Sequence, residues 1–274
     1  MKAANRSVEI VKPGASAAGA KVALFDFDGT LSLFRSGWVD VMLPMMIEEL
    51  QRTGTAETET QLRAVVRDYV DRLNGKQTIY QMIELARQVE LRGGRPEEPL
   101  VYKHRYLDRL HGHIRHRLEE VRTGAVSPEK YLVPGSVALL QLLRDRGLRL
   151  YLASGTDQEY MRAEADLLGV TPWFDGGIYG ALDDYKSFSK RMVIQGILDR
   201  AECSPGELLA FGDGYVEIQN VSEVGGFAVG VASDEPECRI VNAWKRDRLI
   251  GAGAACIIPN FLQLPELASV LFAQ

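Results

Sequence analysis

From about residue 130 onward, short apolar runs alternate with stretches whose apolar residues recur every three or four positions. "RLYLASG" (149–155), "ELLAFGDG" (207–214), "GFAVGVAS" (226–233) and "ACIIP" (255–259) read as buried strands. Between them the spacing predicts amphipathic helices. One follows "PGS" (134–136) and closes at Gly147, one begins near Thr156 or Asp157, one runs from about Phe188 to Ala201, and one follows Asp234. Strands alternating with helices predict an α/β fold around a parallel sheet, whose ligand sites gather at the carboxyl ends of the strands. Residues 33–132 differ. "LRAVVRDYVDRL", "IYQMIELARQV" and "YLDRLHGHIRHRLEEV" carry helical periodicity without β runs, so this stretch reads as a helical insert, a smaller second domain that acts as a lid. The core is then 21–32 plus 133–274. Residues 1–20, rich in Ala, Gly and Ser, read as a mobile N-terminal tail in which "VEIV" adds a short strand.

One further strand, in "KVALFDFDGTL" (21–31), ends in an unusual way. Residues two apart on a strand point to one side, which puts Val22, Leu24, Asp26 and Asp28 together and Ala23, Phe25 and Phe27 on the other face. Two carboxylates at the edge of an apolar core repel, and one is pushed to hold a proton unless a cation lies between them.

Composition narrows the field without adding a function. The chain has 274 residues, 46% apolar and 25% charged, which suits one large soluble domain or two modest ones. Its formal charge of −5 leaves no basic surplus for nucleic acid or an anionic membrane. No apolar run approaches the length of a membrane span, and the first twenty residues lack the apolar centre of a signal peptide. Three distant cysteines, Cys203, Cys238 and Cys256, suggest neither a zinc site nor a disulfide framework; they fit reduced thiols in a cytoplasmic protein.

Three of the expected strands end in reactive groups: Asp26 and Asp28, Ser154, and Asp213. Lys190 opens the helix before the last of these. Carboxylates, a hydroxyl and an ammonium gathered at one sheet edge suit a phosphate held with Mg²⁺, a hard cation that takes oxygen ligands.

"FDFDGTL", a strand ending in "SGT", a lysine and then "GDGYVE" together resemble the haloacid dehalogenase (HAD) superfamily, in its phosphatase branch. The resemblance covers 21–32 and 133–274, with the helical insert at the position of that family's first-type (C1) cap. It implies a Rossmann-like parallel sheet flanked by helices, with an inserted α-helical cap. It also implies that Asp26 is the nucleophile, forming an aspartyl-phosphate, and that Asp28 is the acid and base. Ser154, Gly155 and Lys190 would hold the phosphoryl group. Asp26, the backbone carbonyl of Asp28, and Asp213 would bind Mg²⁺. Two features depart from or blur the pattern. The family's GDxxxD ends here in Glu217, whose longer side chain should still reach an outer-shell water or Lys190. "DYKSFSK" also offers Lys186 as well as Lys190; Lys190 is preferred because it stands at a helix start.

Other residues have plainer readings. His111, His113 and His116, with His104 upstream, lie among arginines that would repel a metal, and they read as a solvated helix face. "NGKQT" (74–78) reads as a linker between helices; the resemblance suggests instead a cap loop that brings Lys76 to the substrate. The expected activity is hydrolysis of a small phosphorylated metabolite, such as a sugar or polyol phosphate. The alternatives are a phosphomutase of the beta-phosphoglucomutase type and a non-catalytic metabolite-binding module on the same fold.

Overall fold

A computed structural model describes residues 8–187 and 189–272. Its strands are β1 (Glu9–Ile10), β2 (Val22–Phe25), β3 (Arg149–Asp157), β4 (Gly177–Ala181), β5 (Leu208–Gly212), β6 (Phe227–Val231) and β7 (Cys256–Ile258). They form one sheet in the order β1-β7-β6-β5-β2-β3-β4, parallel throughout except for the antiparallel pairing of β1 with β7. Strand β2 is central. The chain leaves it toward β3 on one side and later returns to β5 on the other, and such a reversal opens a crevice at the carboxyl ends of the strands.

The period of two in β2 sorts its side chains as expected. Ala23 and Phe25 join one core layer, in which Phe25 stacks on Phe211 at 4.7 Å between ring centres. Val22 and Leu24 join the other layer. That second layer packs against α7 (Lys190–Ala201), α8 (Tyr215–Val224) and α9 (Ala243–Gly251) through Ile194, Ile197, Ile218, Val221 and Leu249. The opposite face is covered in part by α5 (Ser136–Asp145), α6 (Gln158–Leu167) and α10 (Leu264–Phe272).

The "VEIV" stretch supplies β1, and Val8 and Ala17 are buried, with Ala17 N–H donating to the Leu271 carbonyl. Residues 1–7 of the expected tail lie outside the described residues. The helix expected from about Phe188 begins at Lys190; Phe188 itself also lies outside them.

The chain crosses to the helical insert and back as two adjacent segments, where Leu33 N–H donates to the Tyr131 carbonyl and Val133 N–H to that of Leu31. Between these crossings stand α1 (Val39–Gln51), α2 (Glu59–Leu73), α3 (Thr78–Leu91) and α4 (Pro99–Arg122). They bury a core of their own that includes Met42, Met46, Leu62, Val66, Leu85 and Leu110. The thiols of Cys203, Cys238 and Cys256 are all buried and unpaired. No helix among the described residues is long and apolar enough to cross a membrane.

One expectation needs correction. No helix follows Asp234 directly: residues 234–242 form a loop, and α9 starts only at Ala243. The Asp234 carboxylate accepts from Ile240 N–H, and Asn242 caps α9 by accepting from Lys245 N–H, so short polar side chains take the backbone donors that a helix would use.

Candidate active site

Asp26 follows β2 directly and continues its alternation, turning toward the layer of α7 and α8. Its carboxylate is 8% exposed and accepts from Phe27 N–H at 2.8 Å. The buried Lys190, at the first turn of α7, places Nζ 2.8 Å from Asp26 Oδ2 and 2.8 Å from Glu217 Oε2. Glu217 Oε1 accepts from Gly214 N–H, closing the start of α8 on itself. Glu217 thus reaches Lys190, as its length allows. Lys186, the competing lysine, is exposed and lies over the Tyr185 ring.

Asp213 follows β5. Asp26, Asp213 and Glu217 each offer an oxygen, and these three atoms lie within 4.8 Å of one another. Burial raises Asp26 well above the usual carboxylate range; Lys190 opposes the shift, and the Glu217 and Asp213 charges add to it. Burial likewise pushes Asp213 up to about 6 against the pull of Lys245. Burial would also raise Glu217, but the charge and hydrogen bond of Lys190 hold it below its ordinary value. The pocket therefore carries more negative charge than its lysines settle.

These groups fit a small hard divalent cation. All the donors are oxygens, and among the described residues the backbone carbonyl of Asp28 accepts no hydrogen bond. Gly29, in the left-handed region at φ +73°, makes room for this cluster: a Cβ there would lie 2.4 Å from Asp213 Oδ2 and 2.9 Å from Glu235 Oε1.

Asp28 points elsewhere. Its Oδ2 accepts from the Thr156 hydroxyl at 2.8 Å and from Ser154 Oγ at 3.3 Å, and its buried Oδ1 has no hydrogen-bond partner. The repulsion expected between Asp26 and Asp28 is thus eased by geometry: the charges that weigh most on Asp26 come from Lys190, Glu217 and Asp213. Ser154 is buried within β3 and also accepts from Thr156 N–H, which fixes the backbone on either side of Gly155.

The 74–78 segment of the insert lies across the ends of the core strands. A Cβ on Gly155 would meet the Lys76 carbonyl at 3.4 Å, and one on Gly75 would meet Gly214 Cα at 3.3 Å. Asn74, Gly75, Lys76 and Thr78 line one cleft together with Asp26, Asp28, Ser154 and Lys190. The histidines stay out of it. His113 and His116 are exposed, and His111 packs edge-on against Tyr160.

Several residues in or beside the cleft do not stand out in the sequence. Lys245 Nζ lies 2.8 Å from Asp213 Oδ2 and 2.5 Å from Glu235 Oε1, and Glu235 Oε2 accepts from the Ser36 hydroxyl. These partners are far apart in the chain, and no local pattern announces them. Arg35 and Thr156 also line the cleft. Arg35 did leave a trace, as a lone charge in the apolar run "LSLFRSGW".

The model of the haloacid dehalogenase-like hydrolase family matches residues 20–225. No curated protein matches the chain significantly. Among solved structures, a predicted phosphoglycolate phosphatase from Haemophilus somnus shares 14% identity at a TM-score of 0.59, covering 91% of this chain and 98% of its own. A protein assigned as a beta-phosphoglucomutase from Thermotoga maritima shares 19% identity at a TM-score of 0.55, covering 92% of this chain and 100% of its own. A phosphonoacetaldehyde hydrolase-like protein from Oleispira antarctica shares 13% identity at a TM-score of 0.60, covering 98% of this chain and 95% of its own. At such identities the likeness is one of fold. The family match spans most of the chain and takes in Asp26, Ser154, Lys190 and Asp213, so this chain belongs to the haloacid dehalogenase-like hydrolases.

Proposed function

We propose that this protein is a Mg²⁺-dependent, cytoplasmic phosphatase of a small phosphorylated metabolite, a sugar or polyol phosphate, and that it works through an aspartyl-phosphate on Asp26. The observation that carries this reading is the division of labour between two neighbouring aspartates. Asp26 faces Lys190, Asp213 and Glu217, while Asp28 faces Thr156 and Ser154 in the same cleft. Two carboxylates in different surroundings can take different roles in one reaction.

An Asp26 carboxylate oxygen attacks phosphorus, and the bond from phosphorus to the ester oxygen breaks. Asp28 gives its proton to that departing oxygen. Water then attacks the aspartyl-phosphate as Asp28 takes the water's proton; inorganic phosphate leaves and Asp26 is restored. Lys190 and Ser154 hold the phosphoryl oxygens, and Glu217 keeps Lys190 in place. Asp26, the Asp28 carbonyl and Asp213 would hold Mg²⁺, which when bound supplies charge to offset the crowded carboxylates and phosphoryl oxygens. The insert, the cap domain in this reading, closes the cleft against bulk water, and Lys76 reaches the substrate from the 74–78 loop.

A phosphate-release screen over phosphorylated metabolites, run with and without Mg²⁺, tests the reading. Release that requires Mg²⁺ and disappears in Asp26→Asn, with the fold intact, is expected. Interconversion of sugar phosphate isomers without free phosphate would instead identify a mutase. No turnover of any ester, including an aryl phosphate, would favour a non-catalytic binding module.

A further inference from the structure

Arg35 lies in the segment that leads from the core into the insert, and it is 6% exposed. A buried guanidinium needs its charge and its donors matched. Glu164, on α6, does most of this: Arg35 Nε lies 3.1 Å from both Glu164 oxygens, and Nη2 lies 2.7 Å from Oε1. The segment is also fixed from the insert, where Arg117 on α4 donates at 2.7 Å to both the Phe34 and Ser36 carbonyls. Arg35 is therefore held rigidly at the wall of the cleft.

Its remaining nitrogen, Nη1, makes no hydrogen bond among the described residues. Its Nε stands 3.7 Å from Asp28 Oδ1, the buried oxygen that lacks a hydrogen-bond partner. An unengaged nitrogen and an unpartnered carboxylate oxygen thus belong to neighbouring side chains that line the cleft. Trp38, Met42, Tyr106 and Leu110 line the same cleft and give it an apolar wall.

We propose that Arg35 determines specificity by donating to a neutral oxygen on the carbon adjacent to the ester-bearing carbon of the leaving group, and so selects phosphate esters of vicinal hydroxylated alcohols. This rests on the phosphatase reading, which places the ester oxygen at Asp28. An oxygen on the carbon beyond the ester-bearing one is then within reach of the guanidinium, whose Nε stands 3.7 Å from Asp28 Oδ1. A neutral oxygen suits the charge balance, because Arg35 already faces Glu164 and Asp28. A carboxylate at that position would set a second negative charge against the one guanidinium that Glu164 already pairs.

Three esters of similar size separate the possibilities: glycerol 1-phosphate, n-propyl phosphate and the carboxylate-bearing phosphoglycolate. A hydrogen bond from a charged donor corresponds to roughly a 10- to 100-fold effect. The wild-type protein should therefore favour glycerol 1-phosphate over n-propyl phosphate by about that factor in kcat/KM, with phosphoglycolate no better than the propyl ester. Arg35→Met alone strands Glu164, so the informative variant is the double replacement Arg35→Met with Glu164→Leu, which removes both charges. It should retain cooperative melting and lose the preference for the glycerol ester, the glycerol-to-propyl ratio of kcat/KM falling to near one. Equal wild-type rates on the glycerol and propyl esters, a carboxylate ester that outruns both, or a preference that survives in the double variant would each overturn the proposal. Release of phosphate from p-nitrophenyl phosphate, measured in parallel, separates its failure from failure of the phosphatase reading.

Discussion

Replacing Lys190 with methionine probes the charge balance of the site most directly. Lys190 Nζ sits 2.8 Å from oxygens of both Asp26 and Glu217. With an effective dielectric of ~20, each contact corresponds to about 6 kcal/mol of attraction, most of it offset by the cost of taking three charges out of water. What the variant loses is set by what remains: Asp26, Asp213 and Glu217 within 4.8 Å of one another, without the cation that bridges two of them. Removing one partner of a buried pair costs about 3–5 kcal/mol. For a chain of 274 residues the unfolding entropy near the midpoint is about 0.6 kcal/mol per kelvin, so Tm should fall by roughly 5–9 °C. Two further measurements separate this account from simple loss of packing. Adding Glu217→Gln to Lys190→Met removes one stranded charge and should recover a good part of the loss. Millimolar Mg²⁺ should raise Tm more in Lys190→Met than in wild type, because a divalent cation replaces the missing positive charge. A Tm unchanged within experimental error, or a Mg²⁺ response no larger than that of wild type, would refute the reasoning.

Gly29→Ala brings a Cβ to 2.4 Å from Asp213 Oδ2 at a positive φ. Strain and overpacking together should cost roughly 2–5 kcal/mol in denaturant unfolding, and an unfolding midpoint equal to that of wild type would count against the close approach. The elevated pKa of Asp213, about 6, makes metal binding depend on pH. Affinity for Mg²⁺ should rise steeply with pH through that value as a proton is released, and calorimetry in two buffers of different protonation enthalpy measures the released proton. An affinity independent of pH would contradict it. For the metal-free fold the sign is opposite. A carboxyl held above its unfolded value binds its proton more tightly when folded, so the stability it lends is full below about pH 4 and is lost as pH rises toward about 6. Finally, Lys76→Ala should raise KM by roughly 3- to 10-fold with little change in kcat, as expected for uniform substrate binding; unchanged kinetics on every ester would make 74–78 a plain linker.

Residue order alone makes legible whatever local physics dictates. The period-two run of β2, the apolar β5 and β6, and the helical repeats of α2, α3 and α4 are written in side-chain spacing, because each face must find its own solvent or core. The motif residues were legible for a related reason: Asp26 and Asp213 stand just past the ends of strands whose hydrophobicity announces them, and Ser154 just past the apolar run of β3. Elements whose packing overrides their local chemistry were not legible. Helix α1 forms around Pro44 because Met42, Met45, Met46 and Leu50 bury against the rest of the insert. The short β4, with Gly177 and Gly180, takes its place from pairing with β3. Long-range packing sets which charges meet. Lys245 reaches Asp213 and Glu235 because a loop, not a helix, follows Asp234. Arg35 meets Glu164 across 129 residues of sequence. Tertiary contacts also make Asp26 and Asp28 face different partners: sequence alternation gives the side of a strand, but once the strand ends, the turn at Gly29 and the hydrogen bonds of Asp28 to Thr156 and Ser154 set the direction.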